Sequence, residues 1–419
     1  MPTKGWTKLH DASYCNKPAC VKSLLKTKPY EIDRTTPAGW IPLMLCSQAN
    51  HGRIVKILLR NGASVSPANN SGITAIIVSS LHGHVEVTKM LIQGGADLET
   101  TDSEGSTPLH LASEQQHGEV MEALLAGGAD PNCRKVDGTT PLQIVARKGN
   151  VELLKTLLHA QADPLMPTPV VLKATLKGRL VEQMKFIPLE TAARYGHVGI
   201  VRHLVQNVGI DKCGGKTRGF QALECAAHNG HPEVMAVLVE YGAGDDGEAL
   251  TSAVFYAQEE SVKFLLRQHE EPARAYINNT LDCHGRTPLM CALFKFQYPC
   301  ALRIVRWLMD AGADTTSPVN IIDEHSHVVS KTTPMQYIEH TILCEGEEEK
   351  EEDRQRLKAI GRLLLQKDAV QAVSCWMWGL RGMCGKTPPR SPAPTLPLPL
   401  MRRERMGTKS RVVLGALIR

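Results

Sequence analysis

Aromatic residues are scarce in this sequence: five Trp, eight Tyr and six Phe serve 419 residues. Long apolar runs are missing altogether. No uncharged stretch approaches the roughly 18 residues of a transmembrane helix, so no membrane span is expected. The opening Met1-Pro2-Thr3-Lys4-Gly5-Trp6-Thr7 lacks the apolar segment of a secretory signal. The twelve Cys stand singly along the chain. That spacing excludes a small disulfide scaffold and points to reduced thiols in the cytoplasm or nucleus. The 42% hydrophobic content excludes wholesale disorder.

Charge is also sparse where it first looks plentiful. The net charge is +5. Residues 376–419 hold nine Lys/Arg against one acid, Glu404, which leaves the first 375 residues with 39 basic and 42 acidic side chains. The body is close to neutral and the basic character belongs to the tail. Nucleic acid is therefore not an expected partner of the folded part.

What the sequence does have is a period. Gly39, Gly72, Gly105 and Gly138 are 33 residues apart, and so are Ala63, Ala96, Ala129 and Ala162. Each glycine opens a variant of one pattern, clearest in Gly105-Ser106-Thr107-Pro108-Leu109-His110-Leu111-Ala112. Related frames are Gly138-Thr139-Thr140-Pro141-Leu142, Gly285-Arg286-Thr287-Pro288-Leu289 and, degraded, Gly5-Trp6-Thr7-Lys8-Leu9-His10-Asp11-Ala12. Thr-Pro begins a short helix, because proline suits the first turn. Seven residues after the key Leu stands Asn16, Asn50, Gly83, Gly149, Gly196 or Gly230, residue types that tolerate a left-handed helix end. Gln116 is the poor fit. A second amphipathic helix follows, as in Val85 to Ile92, and a Gly-Ala-Asp stretch then turns the chain out into a loop. One such pair cannot bury its apolar face alone, so neighbours must stack.

The period and the T-P-L-H-x-A core resemble the ankyrin repeat, over roughly three-quarters of the chain. The resemblance implies an all-α solenoid of stacked helix–turn–helix units with hairpin loops, about nine in number. Residues 1–163 form the regular repeats and 188–316 degenerate ones. Between them, 164–187 reads as a truncated repeat or kink. Val171, Ala174 and Gly178 fit its first helix and Leu180 to Phe186 a short second one. Residues 317–375 read as a capping region. Lys331-Thr332-Thr333-Pro334-Met335 begins it, the acidic loop 345–354 interrupts it, and Leu357 to Leu365 is the amphipathic closing helix. The six prolines between Pro388 and Pro399 and the basic bias predict a disordered tail over 376–419. In it, Lys386, Pro389 and Pro392 match the basic-x-x-Pro-x-x-Pro form read by SH3 domains.

A catalytic site is not expected. Gly215-Lys216-Thr217 and Gly385-Lys386-Thr387 lack the glycine a phosphate-binding loop needs five residues earlier, where Ile210 and Leu380 stand. Cys15 and Cys20 have no second pair downstream for zinc. His51, His84 and His117 recur 33 apart, with His197 and His231 at the same place in later units. Such a regular ring is expected to bond the neighbouring repeat. No Ser or Cys stands out beside a base. No metal and no cofactor are expected, and a monomer is.

A partner protein is expected instead. In the family, ligands commonly meet the hairpin tips and the exposed ends of the first helices. In this register those are the residue three before the key Leu and the residues five and six after it. Over nine units these 27 positions hold nine aromatics, where composition alone predicts between one and two. Aromatics and Arg carry most interface energy, so the concave-face candidates are Trp6, Tyr14, Trp40, Arg147, Lys148, Arg194, Tyr195, Phe220, His228, Phe255, Tyr256 and Phe294. The reading is a non-enzymatic scaffold. The alternative is a substrate-recognition adaptor for a ubiquitin ligase or signalling complex, although no F-box, SOCS-box or RING pattern is recognisable.

Overall fold

The computed structural model describes residues 5–170, 184–209, 215–244, 247–268, 273–279, 286–316, 318–322, 328–344 and 352–366. Two compact units emerge: Met1–Cys225 with Glu233–Ala243, and Ala226–Pro232 with Gly244–Arg419. Helix pairs build both.

In the first unit the pairs are α1 (Lys8–Tyr14) with α2 (Pro18–Thr27), α3 (Pro42–Gln48) with α4 (Gly52–Arg60), and α5 (Ala75–Leu81) with α6 (Val85–Gln93). Then come α7 (Pro108–Glu114) with α8 (Gly118–Ala126), α9 (Pro141–Lys148) with α10 (Val151–His159), and α11 (Pro188–Arg194) with α12 (Val198–Asn207). The helix α13 (Gly215–Asn229) crosses the division, and α14 (Pro232–Glu240) follows. In the second unit, α15 (Glu248–Phe255) pairs with α16 (Glu259–Gln268) and α18 (Pro288–Phe294) with α19 (Ala301–Asp310); α17 (Ala273–Asn279) lies in the connection. The last pair is α20 (Pro334–Cys344) and a helix over 352–366.

First helices pack on first helices: α1, α3, α5, α7, α9 and α11 in turn, and separately α15, α18 and α20. The key apolar residue of each unit sits at that contact. Leu9, Leu43, Ile76, Leu109, Leu142, Leu189, Leu223, Leu250 and Leu289 are each at most 1% exposed. Burying a side chain of this size contributes about 1.5–3 kcal/mol. Threonine caps several first helices. Thr7, Thr74, Thr107, Thr140 and Thr287 each accept the backbone N–H three residues on.

The left-handed helix ends are where the sequence placed them: Asn16, Asn50, Gly83, Gly149, Gly196 and Gly230 all have positive φ. Gln116 takes the same conformation at φ 59°, as does Ala257 at φ 58°. These two lack the freedom of glycine and are held there by the turn around them. At Gly149 the requirement is also spatial, since an added Cβ would lie 2.5 Å from the His197 ring.

The helix pairs on either side of 164–187 pack directly on each other. α11 packs on α9 and α12 on α10, the pairings of consecutive units. Gln143 donates to the Phe186 carbonyl at 2.6 Å, and Thr191 donates to the Gln143 side chain at 2.6 Å. Where a short second helix was expected, Met184–Phe186 is a strand, antiparallel to Thr168–Val170. The expected helix starting at Val171, Ala174 and Gly178 lies outside the described residues. A second ribbon pairs Val319–Ile322 with Val328–Thr332, with a bulge at Ile321/Ile322. These short ribbons sit in connections and leave the class all-α. The closing helix over 352–366 buries Leu357, Ile360 and Leu364 completely. Residues 345–351 and the tail 376–419 lie outside the described residues.

Candidate protein-binding face

A ladder of histidines joins the units. His51 Nε2 donates to the Tyr14 carbonyl at 2.9 Å, His84 to Gln48 at 3.0 Å, His117 to Leu81 at 3.2 Å and His197 to Arg147 at 2.8 Å. A carbonyl can only accept, so Nε2 carries the proton in each ring. The acceptor is always the residue five after the key Leu of the preceding unit. A second set works forward. His10 Nδ1 accepts the Thr7 backbone N–H while Nε2 donates to the Trp40 carbonyl at 3.1 Å. His110 repeats this with Thr107 and the Thr139 carbonyl. Burial pushes the His110 ring down to about 4 and also lowers His10 and His84. These rings stay neutral near pH 7 and serve the stack.

The thiols are equally quiet. Burial raises Cys133 and Cys225 to about 12 and pushes Cys46 higher still, which holds them as thiols. Among the described residues, no group of three or more His, Cys, Asp or Glu is arranged to hold a metal ion.

The candidate contact residues divide by position. Tyr14, Tyr195 and Tyr256, at the ends of α1, α11 and α15, are 48%, 50% and 44% exposed. Their backbones are fixed by helix termini, and the rings project as anchors that lose little rotamer freedom on binding. Residues three before the key Leu are set deeper. Trp6, Trp40 and Phe186 are half-buried, while Ser106 and Gly247 at the same place are buried. At this position the Trp40 backbone N–H donates to the Thr36 hydroxyl at 3.0 Å, and the ring keeps part of its surface in solvent. Trp6 packs edge-on against Tyr14 with ring centroids 5.8 Å apart.

Arg147 and Lys148 do not point freely outward. Arg147 donates to both carboxylate oxygens of Glu114, at 3.0 and 2.9 Å, and Lys148 approaches the same carboxylate at 3.7 Å. Arg194 lies over the Phe186 ring at 5.7 Å. Phe220 and the tail residues Lys386, Pro389 and Pro392 lie outside the residues whose side chains are described.

The second unit gathers what the first spreads out. Arg286 stands over both Phe255 and Phe294, at 5.4 and 4.9 Å from their centroids. Lys295 covers Phe255 from 4.3 Å and reaches Tyr298 at 5.9 Å. Tyr256 packs on His228 with centroids 3.6 Å apart, and Phe294 on Tyr337 at 4.7 Å. Cations held over ring faces contribute about 0.5–1 kcal/mol each at exposed sites. The result is a fixed mixed surface of aromatic edges and two positive heads. Lys295, Tyr298 and Tyr337 were not among the named candidates. Lys295 is six after its key Leu, a signal in the register, but α20 brings Tyr337 in through tertiary contact alone.

Hairpin tips add two exposed apolar side chains, Tyr30 at 70% and Val136 at 84%. Neighbouring hairpins are tied together. Asp33 accepts the Ser64 backbone N–H at 3.1 Å, Glu99 that of Asp130 at 2.8 Å and Asn132 that of Asp163 at 2.7 Å.

A helix-pair stack with such inter-unit bonding defines a repeat protein, and comparison with known families agrees. The ankyrin-repeat model (Ankyrin repeats, 3 copies) matches residues 9–102, 92–168 and 189–279, and a single Ankyrin repeat matches 284–324. These matches cover more than half of the chain, which belongs to the ankyrin-repeat family. Over 70 residues it is 44% identical to the "Glycerophosphocholine phosphodiesterase gde1" of Schizosaccharomyces pombe (strain 972 / ATCC 24843). That stretch is 17% of this chain and 6% of that protein, so the likeness covers only a small piece of the relative. No helix among the described residues is long and apolar enough to cross a membrane.

Proposed function

We propose that this chain is a non-catalytic binding module that holds a partner protein against its first-helix ends and hairpin tips. Ankyrin repeats are in general protein–protein interaction modules, and the fold does not choose the partner. The observation that carries the reading is the presentation of Tyr14, Tyr195 and Tyr256, each exposed at the C-terminal end of its first helix. Rigid, half-exposed tyrosines supply large contact area at low entropic cost. In the second unit the Phe255, Arg286, Phe294 and Lys295 cluster extends this with positive charge, which suits a partner segment carrying carboxylates beside apolar side chains. The adaptor reading rests on the C-terminal region and draws no support from the described residues.

Affinity capture from cell lysate tests the proposal. The full chain is compared with a Tyr14→Ala/Tyr195→Ala/Tyr256→Ala variant that melts cooperatively. Partners retained by the first and lost by the second support the face. Identical captures sink it. A substrate turned over by the purified chain, with the turnover abolished by a point substitution, would refute the non-catalytic part.

A further inference from the structure

The near-neutral charge of the body hides a local segregation on two of the second helices. The second helices of the first two units, α2 (PACVKSLLKT) and α4 (GRIVKILLR), contain no acid. Between them lies a cleft of about 750 Å³ lined by Lys22, Lys26, Arg53, Lys56 and Arg60, with Ile57 among the lining residues. All five cations are exposed. Among the described residues none of them has an acidic partner, although Lys28, Lys89 and Lys155 all do. Like charges one turn apart on a helix repel, and both helices carry such pairs: Lys22 with Lys26, Lys56 with Arg53 and Arg60.

We propose that this cleft binds a small molecule carrying three or more phosphate groups, free in solution. Its volume falls in the range of small-ligand sites, about 300–1,000 Å³. Arg53 and Arg60 are seven residues apart on one helix face, or about 10 Å at 1.5 Å per residue. The basic area is therefore about as long as three residues of extended peptide at 3.3–3.6 Å each, too short for an acidic segment to meet all five cations. It ends at the next second helix, α6, where Glu86 pairs with Lys89. A compact polyphosphate packs several negative charges into that length. Two guanidinium groups supply bidentate donors and three ammonium groups compact point charges, a set matched to phosphate oxygens. The site is separate from the protein-binding face proposed above and does not depend on it.

Titration calorimetry of the full chain with sodium tripolyphosphate, at about 150 mM salt to screen loose attraction, reads the site. One bound molecule per chain is expected. Lys22→Gln/Arg53→Gln/Lys56→Gln should weaken binding by about tenfold or more. Arg402→Gln/Arg403→Gln/Arg405→Gln removes the same charge from the tail and should leave affinity within about twofold. Equal losses from both variants, or none from the first, would overturn the proposal. Should circular dichroism show the triple variant unfolded, Lys56→Gln alone decides, with a loss of about threefold or more expected and an unchanged affinity overturning the site. Hexaglutamate binding as tightly as tripolyphosphate would replace phosphate with an acidic peptide. Vesicles containing a phosphorylated inositol lipid that hold the protein, and that tripolyphosphate fails to displace, would replace the free ligand with a membrane.

Discussion

The second helices of the first two units and those of the next two share one apolar pattern and differ in charge. α2 and α4 carry five cations in the cleft and no acid, whereas α6 and α8 carry Glu86, Glu119 and Glu122 against a single Lys89. The inward residues are interchangeable between the two regions: Val21 and Leu25, Ile54 and Leu58, Val87 and Leu91, Val120 and Leu124 are all buried. The stack is specified by the inner face, and the outer face is free to vary. A departure there is information about what the surface meets in solution.

The comparison can be broken first at the core. Leu43→Ala in the first region and Leu109→Ala in the second should each cost about 2–5 kcal/mol in chemical denaturation. A loss below about 1 kcal/mol at either would mean that the two regions are not built alike. Trp40→Ala should cost less than Leu43→Ala, because the ring is half-buried.

Acid gives the next effect. A ring lowered by burial binds its proton more readily when unfolded, so stability is full above the ordinary value of 6.5 and falls as pH drops toward the folded value, about 4 for His110. That window corresponds to at most about 3 kcal/mol for this ring. His10 and His84 act in the same direction. Denaturation midpoints measured between pH 7 and 4.5 should fall steadily, and His110→Gln should flatten the slope. A midpoint that rises on acidification would contradict the buried neutral rings.

A smaller gain is expected at Ala257→Gly, about 0.5–1 kcal/mol, since glycine occupies the left-handed conformation without strain. Thermal melting that shows a loss would place the turn under a different constraint. Smallest is the outer charge itself. Lys56→Glu at low salt should raise stability by about 0.5 kcal/mol by relieving like-charge pairs on α4, and Lys89→Glu on α6, which breaks the pair with Glu86, should lower it instead. Equal responses would remove the electrostatic distinction between the regions.

Much of this architecture was legible because it repeats. The 33-residue spacing placed the key apolar residue and the left-handed turn of each regular unit and the histidine of three of them, and all fall where the register put them. What failed to show were properties that arise between units. Ser106 and Gly247 are buried where the register had suggested exposure. Arg147 and Lys148 look like free cations until Glu114, one period earlier, is folded beside them. The docking of α11 on α9 is invisible to a reading that walks along the chain, because 39 residues separate Lys148 from Pro188. The basic cleft was within reach of the sequence. It needed charge to be tallied helix by helix instead of over the whole chain.

The excursion between α10 and α11 separates length of chain from length of stack. Since α11 seats on α9 as a consecutive unit would, Val170 and Met184 form a gate through which sequence can leave and return at neighbouring backbone positions. A two-residue hairpin turn is enough to bridge such a pair. Replacing 171–183 with one should leave α11 seated on α9, which a thermal melt of the shortened chain would check. The paired ends of this ribbon therefore make chain length and stack length two separate variables for the engineer.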